Sequence, residues 1–270
     1  MDLGIKNKTV LITGADSGIG KETAKLLLND GVNVILTDKN IEDVERVQEE
    51  LKKEYPKSSI FAFGCDLTNN DDVVGMADVI AMEIGGIDIL VNSAGARGAA
   101  GDFLELTDED WMETIQIDLM GAVRVARAFI PQMQKKKWGR VINISSENAL
   151  QPYEEESPYN ACKAAIVNFT KCLSRIYGKE KILCNVVSPA YIETPMTNAM
   201  MEELAKEKDI SEEEAVDWFL KNKRPHIELQ RRGQPEEVAA VIAFLCSEKA
   251  SFVNGSNYRV DAGSVESAFG

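Results

Sequence analysis

An alternation that begins at Thr9 limits the fold more than any other feature. Short β-branched runs take turns with longer segments of helical period: TVLIT before residues 21–30, VNVILT before 41–54, SIFAFG before 71–83, then IDILVN. The second half continues with a long helical segment over 108–134, RVINIS, a helix over 158–177, ILCNVVS, a helix over 235–246 and a short last strand NYRV. Strands separated by helices of this length specify βαβ units and a parallel sheet with right-handed crossovers. The expected fold is α/β, one doubly wound parallel sheet in a single domain over residues 1–270. Within it, residues 193–232 are too long for a strand-to-helix connection, and hold two amphipathic pieces over 196–206 and 212–222, the second opened by the capping box Ser211-x-x-Glu214. That segment is expected to be a helical lid insertion.

Composition excludes several classes of partner. A formal charge of −14 gives the long-range field the wrong sign for nucleic acid or an anionic membrane surface. No apolar stretch is long enough to span a bilayer, and the N-terminus lacks the pattern of a signal peptide. Five scattered cysteines, an odd number, suit a reducing compartment, so a cytoplasmic protein is expected.

The first strand runs directly into Thr13-Gly14-Ala15-Asp16-Ser17-Gly18-Ile19-Gly20, and a helix follows. Glycines there let the main chain turn tightly and approach a pyrophosphate, while the helix end supplies free amides and a positive dipole. A nucleotide-triphosphate loop is disfavoured, because the nearest register has Ala15 for its first glycine and Glu22 for its magnesium-binding hydroxyl. Strand two ends at Asp38, eighteen residues beyond Gly20, where a carboxylate can accept from both hydroxyls of an adenosine ribose and would repel a 2′-phosphate. NAD is therefore favoured, with NADP kept open by the neighbouring Lys39. Asp66-Leu67 after strand three and Asn92-Ser93-Ala94-Gly95 after strand four fall on the same carboxyl edge.

Tyr159 and Lys163 lie four residues apart at a helix start, hence one turn apart on one face. A phenol acting near neutrality needs roughly 4 kcal/mol of preferential phenolate stabilisation, which an adjacent ammonium and a nicotinamide cation can supply. Ser146 closes the fifth strand, and its hydroxyl can hold a substrate oxygen on which charge changes.

With these residues in this order, the chain closely resembles the short-chain dehydrogenase/reductase family from Thr9 to Gly263. The motifs that carry the resemblance are TGADSGIG, Asp66-Leu67, NSAG, Ser146, YNACK, Ser188-Pro189 with Thr194, and Val260-Asp261. It implies a Rossmann-type fold with Tyr159 as general acid/base. Lys163 would lower its pKa and bind the nicotinamide ribose, and Ser146 would orient the carbonyl or hydroxyl. Pro189, Ile192 and Thr194 would border the carboxamide. It also implies a homotetramer through the helices at 108–134 and 158–177. Asp118 departs from the pattern, standing where the family usually has an asparagine that supports a water-linked relay to the lysine; ionised, it could pair with Lys163 and retune it. Ala190 and Ala262 likewise stand where glycine is usual.

His226, the lone histidine, reads as a loop residue, and no metal site is expected from so few and scattered ligands. Glu147 and the run Glu154-Glu155-Glu156 are either solvated or face the cleft, where they would favour neutral hydroxylated or cationic substrates. Met196, Met200, Met201, Trp218 and Phe219 either cover a substrate or pack against the protein itself. The reading reached is an oxidoreductase moving hydride between NAD(H) and a secondary alcohol or its ketone. The alternative is a dinucleotide-binding regulator or scaffold of the same fold.

Overall fold

A computed structural model describes residues 2–268. Seven parallel strands, β1 (Thr9–Thr13), β2 (Asn33–Asp38), β3 (Ile60–Gly64), β4 (Ile89–Asn92), β5 (Gly139–Ile144), β6 (Ile182–Pro189) and β7 (Asn257–Val260), form one sheet in the order β3-β2-β1-β4-β5-β6-β7. The chain winds outward from β1 in one direction, then restarts at β4 in the other. That reversal opens a crevice at the carboxyl ends of β1 and β4, where an open α/β sheet receives its ligand.

Alternate strand residues fill two apolar layers, as the pleat requires. Val10 and Ile12 of β1 pack in one, Leu11 in the other. The first layer is closed by α1 (Gly18–Asn29), α2 (Ile41–Glu54) and α9 (Pro235–Cys246), through residues such as Leu27, Val47 and Ile242. The second is closed by α3 (Asn70–Glu83), α5 (Gly121–Lys136) and α6 (Ser157–Tyr177), through Ile80, Phe129 and Leu173.

The long helix expected over 108–134 is interrupted. It consists of α4 (Asp108–Ile115), a π-helical turn Gln116–Met120, and α5. Such a turn inserts one residue into the ladder and re-aims the side chains around it, frequently at functional sites. Here it carries Asp118.

Between β6 and α9 run α7 (Pro195–Lys208) and α8 (Glu212–Lys223), each opened by a capping box, Thr194 with Thr197 and Ser211 with Glu214. These helices have a small core of their own, built from Tyr191, Met201, Phe219, Leu220 and Ile227. Met201 and Phe219 thus bury against the same chain, whereas Met196 stays half-exposed. Among the described residues no helix is long and apolar enough to cross a membrane.

Candidate active site

The glycine turn between β1 and α1 is built for contact between main chains. Gly14 has φ +66°, and a Cβ there would lie 2.8 Å from the Cα and N of Ala94. At Gly20 a Cβ would fall 2.1 Å from the carbonyl oxygen of Gly14. The threonine before the turn completes the joint, since Thr13 Oγ1 accepts from the amides of Ser93 and Ala94, both at 3.1 Å. At the N-terminus of α1, Ser17 makes no side-chain cap and the first turn carries no acid. By contrast, α2 and α3 have asparagine caps and two acids each in their first turns. The α1 amides are left for an external anion.

At the other side of the turn, half-buried Asp38 faces the crevice together with Asp16. Burial pushes the Asp38 carboxyl above its ordinary value, and the charge of Asp16 adds to the effect. Lys39 points elsewhere, its Nζ 2.9 Å from Asp66 Oδ2. Asp66 also accepts from the hydroxyl and amide of Thr68 at 2.6 and 2.9 Å. Those bonds, the Thr68 hydroxyl foremost, lower its carboxyl to about 2.

The chamber end of the crevice is made of side chains. Tyr159, Lys163 and Ser146 line it with Gly95, Pro189, Ile192 and Thr194. Ser145 draws α6 onto the end of β5 by donating to the Lys163 carbonyl at 2.7 Å. Lys163 Nζ lies 3.0 Å from Asp118 Oδ1, and both side chains are almost fully buried. The backbone amide of Ala96 also donates to Asp118 Oδ1, at 3.3 Å. Gly95 is obligatory beside this pair, because a Cβ would lie 2.9 Å from Asp118 Oδ1 and 3.2 Å from Lys163 Nζ.

Burial alone would lower the Lys163 ammonium, but the Asp118 charge, the tyrosine and the hydrogen bond to Asp118 together hold it above the usual lysine range. For Tyr159, burial is the largest influence and raises the phenol. The Lys163 charge and a hydrogen bond with Ser146 pull it down, while Asp118 and Glu156 push it up, and the net direction is upward. These side chains by themselves keep the proton on the phenol. The lowering anticipated from Lys163 is thus opposed by its own partner.

Most of the anticipated site residues meet in one crevice. Gly14, Asp16, Ser17, Gly18, Ile19, Gly20, Asp38, Ala94 and Gly95 line its cradle end, continuous with the chamber residues above. Asp66, Leu67, Asn92 and Asp118 are not among the lining residues. Leu67 offers its carbonyl to Arg124 Nη1 at 3.1 Å. Asn92 donates to Asn143 Oδ1 at 2.7 Å, and Asn143 to Thr170 Oγ1 at 2.8 Å, a buried ladder joining β4, β5 and α6. Met196 and Ala190, singled out from the sequence, also line the crevice; sequence reading missed Ala96 and Thr197 there, and Asn148, which accepts from the Ser146 hydroxyl at 2.9 Å. Adjacency to Ser146 was the only available signal for Asn148. The acidic run divides: Glu154 and Glu155 are exposed, while Glu156 pairs with Arg224. His226 pairs at the surface with Glu266, Nδ1 to Oε1 3.2 Å.

A family profile described as enoyl-(acyl carrier protein) reductase matches residues 14–264, nearly the whole span of this architecture. The chain is a short-chain dehydrogenase/reductase. This dehydrogenase/reductase is 35% identical over 267 residues to the uncharacterized oxidoreductase YvrD of Bacillus subtilis (strain 168), covering 99% of this chain and all of the relative. It is also 35% identical to the meso-2,3-butanediol dehydrogenase of Serratia marcescens, with 97% of this chain and 96% of that one covered. The crystal structure of L-sorbose reductase from Gluconobacter frateurii, complexed with NADPH and L-sorbose, superimposes with a TM-score of 0.93 at 31% identity, covering 99% of this chain and 100% of that chain. The dehydrogenase/reductase is accordingly an oxidoreductase of a CH–OH or C=O group that uses a nicotinamide dinucleotide.

Proposed function

We propose that this enzyme interconverts a secondary alcohol and its ketone using NAD(H), with Tyr159, Lys163 and Ser146 performing the chemistry. The observation that carries the reading is one continuous crevice, with a main-chain cradle at one end and this triad at the other. The residues present fit a dinucleotide: Gly14 and Gly20 let the turn close tightly against Ala94 and its own carbonyl at the head of α1, and the uncapped α1 amides suit a pyrophosphate. Bound there, the nicotinamide supplies or accepts the hydride.

The protein's own part is proton handling and orientation. Turned from Asn148 Oδ1, the Ser146 hydroxyl proton would hold the substrate oxygen, and Tyr159 Oη gives that oxygen a proton in reduction or takes one in oxidation. Lys163 stays an ammonium against Asp118, stabilising negative charge on the phenol and offering donors to a ribose. Burial keeps water from competing for these bonds.

Asp38 and Asp16 support NAD, because a 2′-phosphate would meet two carboxylates while Lys39 is engaged by Asp66. The α7–α8 segment acts as a lid, with Arg97 to Glu203 and Lys223 to Glu155 pairing across its edge at 3.8 and 3.4 Å. Among the described residues Lys163 is the one cationic side chain lining the crevice, which supports a neutral hydroxylated ketone or alcohol as substrate. Exposed Met112 on α4 and Ile176 on α6, with Phe103 and Leu104 just before α4, support a homotetramer through the helices at 108–134 and 158–177. Five free cysteines support a reducing, cytoplasmic setting.

The test is steady-state reduction of L-sorbose and of a vicinal diketone with NADH or NADPH, and oxidation of meso-2,3-butanediol. NADH should be preferred by about tenfold or more in kcat/KM, some 1.4 kcal/mol, and Asp38→Ala should narrow that ratio. Equal use of both coenzymes by the unmodified enzyme would remove Asp38 from the ribose site. Tight NADH binding with no turnover of any carbonyl would favour the scaffold reading.

A further inference from the structure

Arg224 caps the carboxyl end of α8 and is only 7% exposed, unusual burial for a guanidinium. Its Nη2 donates to the two oxygens of Glu156 at 2.9 and 3.2 Å. Its Nε lies 3.5 Å from Glu147 Oε1, and its central carbon sits 3.3 Å from the centroid of the Tyr153 ring. The tyrosine hydroxyl itself donates to Glu147 Oε1 at 3.0 Å. All three partners belong to the connection between β5 and α6. Ser146 immediately precedes Glu147, and Tyr159 follows Glu156 by three residues. One side chain from the lid therefore grips both ends and the middle of the loop that links the two groups proposed to touch substrate.

The grip continues inward. Asn148 Nδ2 donates to Glu156 Oε2 at 2.6 Å and to Asn160 Oδ1 at 2.8 Å. Asn148 Oδ1 accepts from Ser146 Oγ at 2.9 Å, and the Asn148 amide donates back to the same Oγ at 3.2 Å. Three hydrogen-bonded links thus join a lid guanidinium to the serine hydroxyl. Every link is at least partly buried, so a rotated Asn148 would leave polar groups without partners, and the network has one favoured arrangement. A guanidinium suits the role because its planar fork bonds a carboxylate along one edge while stacking on an aromatic face, which an ammonium cannot reproduce.

We propose that Arg224 is a positioning residue: seated on Glu147, Tyr153 and Glu156, it fixes the Ser146 hydroxyl through Asn148 and sets the entry of α6 that carries Tyr159. The catalytic geometry is then complete only when the lid is docked. This inference rests on the roles given to Ser146 and Tyr159 above. An ion pair that merely fastened the lid would leave the serine indifferent to Arg224.

Hydrogen exchange on the intact chain separates the two without any substrate. In Arg224→Ala, amides over 146–156 should exchange at least tenfold faster together with those of α8, while β1 and α1 keep their protection. Faster exchange confined to α8 would overturn the proposal. In turnover of L-sorbose with NADH as probes, the same variant should lose kcat by thirtyfold or more, with NADH affinity within twofold. Ethylguanidinium should restore part of that rate where ethylammonium at equal concentration does not. Glu156→Gln removes the charge but little volume; it should lower kcat without lowering thermal stability comparably, and full activity in it would contradict the proposal even if Arg224→Ala does not fold. The proposed function fails separately, if Tyr159→Phe retains turnover, and the exchange result does not depend on that outcome.

Discussion

The two ends of the crevice are built from different materials. At the cradle, segments 13–20 and 92–95 meet main chain to main chain, with Gly14 packed on Ala94 and Gly20 on the carbonyl of Gly14. At the chamber, side chains from the end of β5 and from α6 converge as Ser146, Tyr159 and Lys163, with Asp118 of the π-turn paired behind Lys163 and Arg224 of the α8 cap paired behind the β5–α6 connection, all across long sequence separations. A joint built from main chain is intolerant of a single added methyl. The chamber, built on a buried ion pair, responds strongly to the loss of a charge. Binding and chemistry in this enzyme should accordingly fail in different ways.

The largest effect on stability belongs to the cradle. Gly20→Ala places a Cβ against a carbonyl oxygen that cannot move without opening the turn. Overpacking of this kind costs about 2–3 kcal/mol, a fall of roughly 10 °C in Tm, and NADH affinity should drop at least tenfold. Calorimetry and fluorescence titration check both. Stability near that of the unmodified enzyme would show that the turn is pliable, and the contrast between the two ends would dissolve.

At the chamber, Asp118→Asn should alter the pH profile instead. Asp118 is among the charges that raise the Tyr159 phenol, and alcohol oxidation needs that phenol deprotonated. Removing the negative charge should move the rising limb of oxidation to lower pH, with cofactor affinity unchanged. A limb that stays in place or moves upward would show that Asp118 does not act on the tyrosine.

The smallest effect tests the sheet edge beyond the chamber. Ala262 has φ +50°, a left-handed conformation in which a Cβ is strained, and its carbonyl accepts from the Glu228 amide at 3.0 Å. Ala262→Gly relieves about 1 kcal/mol and should raise Tm by roughly 2–4 °C. Melting curves decide it, and a lower Tm would mean the main-chain strain is compensated in place.

The sequence revealed the cradle end more fully than the chamber, for the same physical reason. Strand periodicity, the α2 bounds at Ile41–Glu54, and the box opening α8 at Ser211 are local signals, set by neighbours within a turn or two. The glycine turn is also local, so its place after β1 was readable. The π-turn was not, because an uninterrupted apolar period over 108–134 gives no mark of one inserted residue. Asp118 was legible as a departure able to pair with Lys163, and the π-turn is what aims it there. Arg224 lay wholly outside reach: nothing near it in the chain refers to Glu147 or Glu156, and only the folded end of α8 brings them together. Glu156 looked like part of a solvated run for the same reason.

The most direct measurement is turnover of Tyr159→Phe beside its NADH affinity, in the carbonyl reduction used for the unmodified enzyme. Loss of the one hydroxyl that can hand over a proton should reduce kcat by about 10³-fold while NADH binds within twofold of its usual affinity. A variant that still reduces the carbonyl at the original rate would contradict the account, since the chamber would then be working without the group it is built to position.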